Sequence, residues 1–366
     1  MYYKDFGGKK VSALGMGGIR FPTVEGDVNS IIREDAQRLV DLAMEKGINY
    51  FDTSHLYMAG DSEKFLGEAL KKYPRESYTV ATKFYYCVSD DIEKVFSEQM
   101  ARLDTGYIDV YMLHSLNDET VGPYTDKERG YIDFILRKQE EGLVKKIGFS
   151  SHASPAVLER FLDYYDKFDM ALIQLNYLDW SVLDAKRQYE LLTERGIPVW
   201  VMEPLKGGRL ARLNEEATSI LTSHAPDRTP ASWGMRFLMG LPNVHTVLSG
   251  MGTTEEILDN CKTFEAPDPL SEEETELLMR AAEIYKASMG VPCSACRYCT
   301  AGCPASLDIP RIVSAYNEKM LSGDTWRISK LGLKSASECL GCGECARLCP
   351  QKIDIPAIME KMKDLG

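Results

Sequence analysis

Eight of the ten cysteines fall in two copies of one pattern near the C-terminus. The first copy is Cys293-x-x-Cys296-x-x-Cys299-x-x-x-Cys303-Pro304, and the second is Cys339-x-x-Cys342-x-x-Cys345-x-x-x-Cys349-Pro350. Thiolates at this C-x2-C-x2-C-x3-C-P spacing hold [4Fe–4S] clusters, and the doubling implies two of them. Within a copy, three closely spaced thiolates wrap one cluster, and the fourth ligand comes from the other copy. The expected ligand sets therefore interlock: Cys293, Cys296, Cys299 with Cys349, and Cys339, Cys342, Cys345 with Cys303. Zinc ribbons use four ligands, often as two C-x2-C pairs, and have no need of a Pro after each last Cys. Disulfides would suit a small secreted domain, and the opening Met1-Tyr2-Tyr3-Lys4 has no secretory character. Cys87 and Cys261 stand outside the pattern.

A second constellation lies far upstream. Asp52, Lys83 and His114 each end a short apolar run, in Phe51-Asp52-Thr53, Thr82-Lys83 and Leu113-His114, and Tyr57 follows Asp52 closely. Brought together, these four can do proton chemistry. Lys83 beside the Tyr57 hydroxyl stabilises a phenolate, and Asp52 keeps the ammonium from being buried alone. Tyr57 then donates a proton to a substrate oxygen that becomes an alkoxide, and His114 hydrogen-bonds the same oxygen. Singly, the residues have plainer readings as a structural ion pair, a core histidine and a rim aromatic. Their joint position at three successive strand ends favours the catalytic one.

The elements needed to position them are legible. Strands are expected at Val11–Gly15, Tyr50–Asp52, Tyr78–Thr82, Ile108–Leu113, Lys146–Ser150, Met170–Leu175, Val199–Met202 and Thr246–Leu248. They are apolar without strict alternation, as strands buried on both faces are. Helical patterns intervene, including Asp35–Lys46 stopping at Gly47, Asp90–Leu103, Asp126–Glu141 after Thr125, and one closing near Thr193–Arg195 before Gly196. Eight strand–helix units predict a (β/α)8 TIM barrel, whose chemistry sits at the C-terminal ends of the strands. A doubly wound sheet is the weaker alternative, because no G-x-G-x-x-G follows the first strand. The expected division is a barrel over 1–270, a connecting helix over 271–290 after Pro267-Asp268-Pro269, and a small cluster domain over 291–366. In that domain Asp308-Ile309-Pro310 and Asp354-Ile355-Pro356 each open a helix beside a cysteine run. Helical character across Ile309–Leu333 predicts a helical variant of the cluster domain.

Composition narrows the function classes. The chain has 366 residues, 44% hydrophobic and 27% charged, with a formal charge of -12. That charge disfavours nucleic acid, and no apolar run is long enough to span a membrane. Cluster thiolates call for a reducing compartment, so the cytoplasm is expected.

The run Gly47-Ile48-Asn49-Tyr50-Phe51-Asp52-Thr53-Ser54-x-x-Tyr57, followed by Ser62-Glu63 and Leu66-Gly67-Glu68-Ala69-Leu70, resembles the signature of the aldo-keto reductases. Lys83 in Ala81-Thr82-Lys83 and His114 in Tyr111-Met112-Leu113-His114 match that family's remaining catalytic positions. The whole chain resembles the subgroup with a C-terminal two-cluster [4Fe–4S] ferredoxin-like domain. The resemblance implies carbonyl reduction to an alcohol, or the reverse, with NADP or NAD, and Tyr57 as general acid/base.

It also implies cofactor contacts. Ser150 and Gln174 match the carboxamide contacts, although either alone could equally cap a strand end. Pro204-Leu205-Lys206-Gly207-Gly208-Arg209 resembles the diphosphate loop, with glycines letting N–H groups approach phosphate. The adenosine end aligns with Ser249, Gly250, Met251, Glu256 and Asn260. Two departures stand out. Met202 takes the place of a stacking Tyr, and the usual cations of the 2′-phosphate grip are missing, while Glu256 suits a ribose hydroxyl. Candidate substrate walls are Phe21, Tyr85, Tyr86, Leu116 and Trp180, which suit a bulky or aromatic carbonyl. Hydride transfer moves two electrons and each cluster moves one. If the two are coupled, a flavin in the barrel or on a redox partner protein is implied. Three classes follow: a nicotinamide-linked carbonyl oxidoreductase with clusters for electron transfer or redox sensing, a flavin-linked electron-transfer protein, and a sensing module with an idle barrel.

Overall fold

Parallel strands β1 (Leu14–Gly17), β2 (Tyr50–Asp52), β3 (Thr79–Phe84), β4 (Ile108–Leu116), β5 (Val144–Ser151), β6 (Met170–Gln174), β7 (Val199–Met202) and β8 (Val244–Ser249) close into a barrel. The ring shuts where β8 pairs with β1, with Val247 opposite Leu14. The structure is a computed structural model and describes residues 1–25, 27–322 and 336–363. Every residue of β3, β4 and β6 is buried, which is why these runs read as unbroken apolar stretches.

The first strand differs from expectation. Val11 and Ser12 belong to an antiparallel hairpin of Tyr3–Phe6 with Lys9–Ser12, and the barrel strand starts only at Leu14. The chain breaks direction because Ser12 Oγ donates to Leu14 O and the Ser12 N–H is taken by Asn49 Oδ1. The hairpin's Phe6 and Val11 pack with Tyr50, Met170 and Trp200 in one apolar cluster. The helix expected over Asp126–Glu141 is also shorter. It runs Tyr131–Glu140, because Gly130 takes a left-handed conformation ahead of it and a separate turn occupies Val121–Tyr124. The other expected helices are present as Arg33–Glu45, Ile92–Leu103 and Ala185–Glu194.

The chain forms two compact units, Met1–Pro204 with Ser232–Glu272, and Leu205–Ala231 with Glu273–Gly366. The segment 205–231, expected within the barrel domain, clusters with the C-terminal region. Bonds of that second unit explain the grouping. Asn214 Nδ2 donates to Ser288 Oγ at 2.7 Å, Arg228 to Glu274 at 2.5 Å, and Tyr285 OH to Arg209 O at 3.3 Å.

The second unit is helical, as predicted. Helix Glu272–Ser288 leads into short helices Tyr298–Ala301 and Glu344–Arg347 and longer ones at Ile309–Ser322 and Ile355–Lys363. Asp308 and Asp354 each accept an N–H three residues on, from Arg311 and Ala357, so both open their helices as the sequence requires. The stretch 323–335, part of the expected Ile309–Leu333 helix, lies outside the described residues. Among the described residues no helix is long and apolar enough to cross a membrane.

Candidate functional site

The barrel brings Asp52, Tyr57, Lys83 and His114 to one mouth. Lys83 has no exposed surface; its Nζ donates to Asp52 Oδ1 at 2.5 Å and to Thr53 O at 2.7 Å. Burial pulls both members of this pair toward their neutral forms, and each partner's charge pulls the other back. The Lys83 ammonium lies 5.0 Å from the centre of the Tyr57 ring. Tyr57 is delivered by a strained turn. Met58, Ala59 and Gly60 after it all have positive φ, at 53°, 53° and 90°. Such backbone is costly for residues with a Cβ and is retained where it aims a side chain.

His114 is aimed by a different device. The pairing of β4 with β5 slips between Leu113 and Leu116, and Ser115 inside the slip has φ 58°. A bulge of this kind re-aims the neighbouring side chain. Its freed N–H donates to Ser150 Oγ at 2.7 Å. The imidazole packs edge-on to Tyr57, with centroids 6.0 Å apart, and against Tyr85 at 5.4 Å. Its Nδ1 lies 3.1 Å from Ser54 Oγ, and that oxygen also accepts the Leu56 N–H. The Ser54 hydroxyl therefore holds the imidazole from its Nδ1 side. Burial, then the Lys83 ammonium, holds His114 well below the usual histidine range, so the ring is neutral at neutral pH.

A buried layer beneath the tetrad escaped the sequence reading. Glu63 has no exposed surface and accepts from Thr82 Oγ1 at 2.5 Å, Gln99 Nε2 at 2.7 Å and Arg102 at 3.1 Å. Gln99 also donates to Lys83 O at 3.1 Å, and His55 Nδ1 holds the same carbonyl at 3.0 Å. The backbone of Lys83 is thus clamped from two sides. Glu63 stood in the sequence signature without a role; nothing in a linear reading pairs it with Gln99.

The expected cofactor residues separate into two groups. Ser150 and Gln174 stand at adjacent strand ends. Ser150 supports the bulge at Ser115, while Gln174 Nε2 donates to buried Asp179 at 2.8 Å and its side chain also bonds His152. A side-chain amide and a hydroxyl so placed suit an amide ligand. His152, the residue after Ser151, was missed; burial lowers it to about 4. At β8, Asn260 donates to Ser249 Oγ at 3.2 Å, and Met251 is buried. Glu256 is engaged at the start of its helix: it accepts the Gly252 N–H at 2.8 Å, and the N-cap Thr253 Oγ1 accepts its own N–H at 3.3 Å. Arg20, also missed, lies over this loop, and a Cβ at Gly250 would meet its Cδ at 2.9 Å.

Leu205, Lys206, Gly207, Gly208 and Arg209 belong to the second unit, although Pro204 before them belongs to the first. Lys206 Nζ donates to Gln351 Oε1 at 2.6 Å, and Arg209 donates to Val291 O at 3.0 Å and to Met289 O. Both cations expected on a diphosphate are engaged by the C-terminal segment instead.

Of the expected walls, Tyr85 faces His114 and Tyr86 packs on Tyr124. Phe21 is not a wall but core, edge-on to Phe65 at 4.8 Å, and Leu116 is fully buried in β4. Trp180 packs against Tyr189 and Phe237. Cys87 is exposed and Cys261 buried.

In the second unit, Cys293, Cys296, Cys299 and Cys349 line one cavity, and Cys303, Cys339, Cys342 and Cys345 line another. The grouping is the interlocked one read from the spacing. Among the described residues no three His, Cys, Asp or Glu side chains converge tightly enough to hold a single ion. Four thiols around a cavity fit a cluster better than a zinc ion, which needs every sulfur about 2.3 Å from one point. Burial and neighbouring thiols push Cys299 up to about 12 and Cys345 up to about 11, so these sites call for a cationic group to hold them as thiolates.

Two family profiles match successive parts of the chain. The profile of the aldo/keto reductase family matches residues 13–283, and that of a 4Fe-4S dicluster domain matches residues 292–353. The uncharacterized oxidoreductase YqkF of Bacillus subtilis (strain 168) is 26% identical over 311 residues, covering 76% of this chain and 95% of YqkF. The NADH-specific methylglyoxal reductase of Escherichia coli (strain K12) is 30% identical over 202 residues, covering 48% of this chain and 59% of that protein. The holo form of aldo-keto reductase AKR11C1 from Bacillus halodurans superposes with a TM-score of 0.63 at 26% identity, covering 77% of this chain and 96% of that one. The chain is an oxidoreductase that belongs to the aldo/keto reductase family and carries a C-terminal 4Fe-4S dicluster domain.

Proposed function

We propose that this enzyme interconverts a small-molecule carbonyl and its alcohol with a nicotinamide dinucleotide, using Tyr57 as the proton donor and acceptor. The observation that carries the reading is Lys83, without exposed surface, bonded to Asp52 at 2.5 Å and set 5.0 Å from the Tyr57 ring. When bound, the nicotinamide supplies or takes the hydride at the substrate carbon. Tyr57 gives its hydroxyl proton to the substrate oxygen as that oxygen becomes an alkoxide. The phenolate left behind is stabilised by the Lys83 ammonium, whose own burial is balanced by Asp52. Neutral His114 donates its Nε2–H to the same oxygen and fixes the substrate's orientation. Ser150 and Gln174 would hold the carboxamide, and Arg20 would offer positive charge at the adenosine end, beside Gly250. The name of the Escherichia coli relative supports a reactive carbonyl as substrate and admits NADH as donor.

In the second unit, Cys293, Cys296, Cys299 and Cys349 would hold one [4Fe–4S] cluster, and Cys303, Cys339, Cys342 and Cys345 the other. These clusters add a one-electron function, transfer or redox sensing, to an enzyme whose barrel chemistry has no step that needs iron. The test is anaerobic oxidation of NADH and NADPH over a panel of aldehydes and ketones. Turnover with at least one carbonyl is the expected result. No turnover with any pair, in protein that binds the cofactor, would overturn the reading.

A further inference from the structure

The two cluster sites share a backbone but not their surroundings. Ala295 and Gly341, Arg297 and Gly343, and Ser306 and Lys352 hold matching places in the two copies, and all have positive φ. The N–H groups of Ala295 and Gly341 each approach the first cysteine sulfur of their copy at 3.4 Å. The residue after each Cys-Pro pair breaks the symmetry, being Gln351 in one copy and Ala305 in the other. Gln351 is buried and accepts from Lys206, itself only 2% exposed.

The loop that carries Lys206 is built to stay there. Lys206, Gly207 and Gly208 all have positive φ, at 47°, 67° and 90°. A left-handed lysine is strained and persists where its surroundings over-determine it. Gly207 lies against Ser294, and a Cβ there would come within 2.4 Å of Ser294 O. Arg209 bonds the carbonyls of Met289 and Val291 just before Cys293. Ser294 and Gln351 line the same cavity as Cys293, Cys296, Cys299 and Cys349.

We propose that Lys206 is a redox-tuning cation, raising the reduction potential of the cluster held by Cys293, Cys296, Cys299 and Cys349. The proposal rests on the ligand sets given above. One electron enters the cluster from an external reductant, with no bond made or broken, and adds negative charge beside the ammonium. Net charge and hydrogen bonding around the sulfurs are established determinants of cluster potential, and a buried position screens the interaction less than water would. The other copy has no side-chain amide at Ala305 to seat such a cation.

The test is a redox titration of the full-length, anaerobically reconstituted protein, followed by electron paramagnetic resonance. In Lys206→Met the reduced-to-oxidised ratio of one cluster at its wild-type midpoint falls about tenfold, a shift of ~59 mV for one electron. The other midpoint stays, and Lys206→Arg restores the first. Unchanged midpoints in an iron-replete Lys206→Met protein overturn the proposal. Should that variant fail to load iron, Gln351→Glu places a carboxylate against the ammonium. The same fall then supports the proposal, and unchanged midpoints overturn it. Wild-type protein that binds no iron would instead sink the ligand assignment.

Discussion

Among the described residues two lysines are buried almost completely, and their neighbours differ. Lys83, with no exposed surface, faces a carboxylate, a backbone carbonyl and the ring of Tyr57. Lys206, 2% exposed, faces the side-chain amide of Gln351 beside a cavity lined by cysteines. A buried ammonium needs a compensating negative charge. Asp52 supplies it at the barrel mouth, and in the proposed mechanism the charge of Lys83 supports a transient Tyr57 phenolate. At the second site the proposal has the charge of Lys206 act on the potential of a cluster held by the neighbouring cysteines. The difference teaches that the partner buried with a lysine decides which task can be proposed for it, proton chemistry at Lys83 and electron chemistry at Lys206.

The comparison can be broken first at Lys83. Lys83→Met leaves Asp52 buried without its cation, at a cost of roughly 3–5 kcal/mol in stability. It also removes the support of Tyr57, so carbonyl reduction falls by about 10²–10⁴-fold. Thermal melts and steady-state kinetics read the two effects. Full loss of stability with only a mild loss of turnover would mean that Lys83 is a structural residue only. At the other end, Cys349→Ala removes one ligand of the cluster beside Lys206. Bound iron falls by about half, while nicotinamide-linked carbonyl reduction is retained. Loss of that reduction in folded protein would show the clusters to be part of the barrel's chemistry.

The pH dependence is a smaller effect. His114 is held well below the usual histidine range, and His152 is lowered to about 4. An unfolded histidine titrates near 6.5, so the unfolded chain takes up protons that the folded one refuses between about pH 6.5 and 4. Stability from this source is full above pH 6.5 and is lost as pH falls toward 4. Melting temperature should drop over that window, and His152→Gln should flatten the drop. The smallest effect is expected from Ser54→Ala, which removes the hydroxyl that holds His114 Nδ1 and loosens the imidazole's orientation. A roughly tenfold fall in kcat, with cofactor affinity unchanged, is the expected size for one hydrogen bond of this kind.

The legible parts were those written as short spacings. The tetrad was readable because barrel geometry places each strand end at the mouth, and three strands in a row ended in Asp52, Lys83 and His114. The grouping of the cysteines around two cavities was readable because a duplicated motif has few ways to divide eight thiols. Glu63, Gln99 and Arg102 were not, because they come from two separate helices and meet only when those helices pack beneath β3. Lys206 and Arg209 were read as phosphate ligands, since Lys-Gly-Gly-Arg after a barrel strand has that character. The partner of Lys206 lies 145 residues further on, and no local pattern announces it. Phe21 and Leu116 were placed near the substrate because they follow or end strands, but apolar residues there also serve the core, and burial decided the matter.

The measurement closest to the central claim is turnover of Tyr57→Phe, assayed anaerobically in fully loaded protein beside binding of NADH or NADPH. The account predicts that carbonyl reduction is lost by about 10²–10⁴-fold, with cofactor binding and both clusters intact. Turnover equal to that of the unaltered enzyme would contradict it.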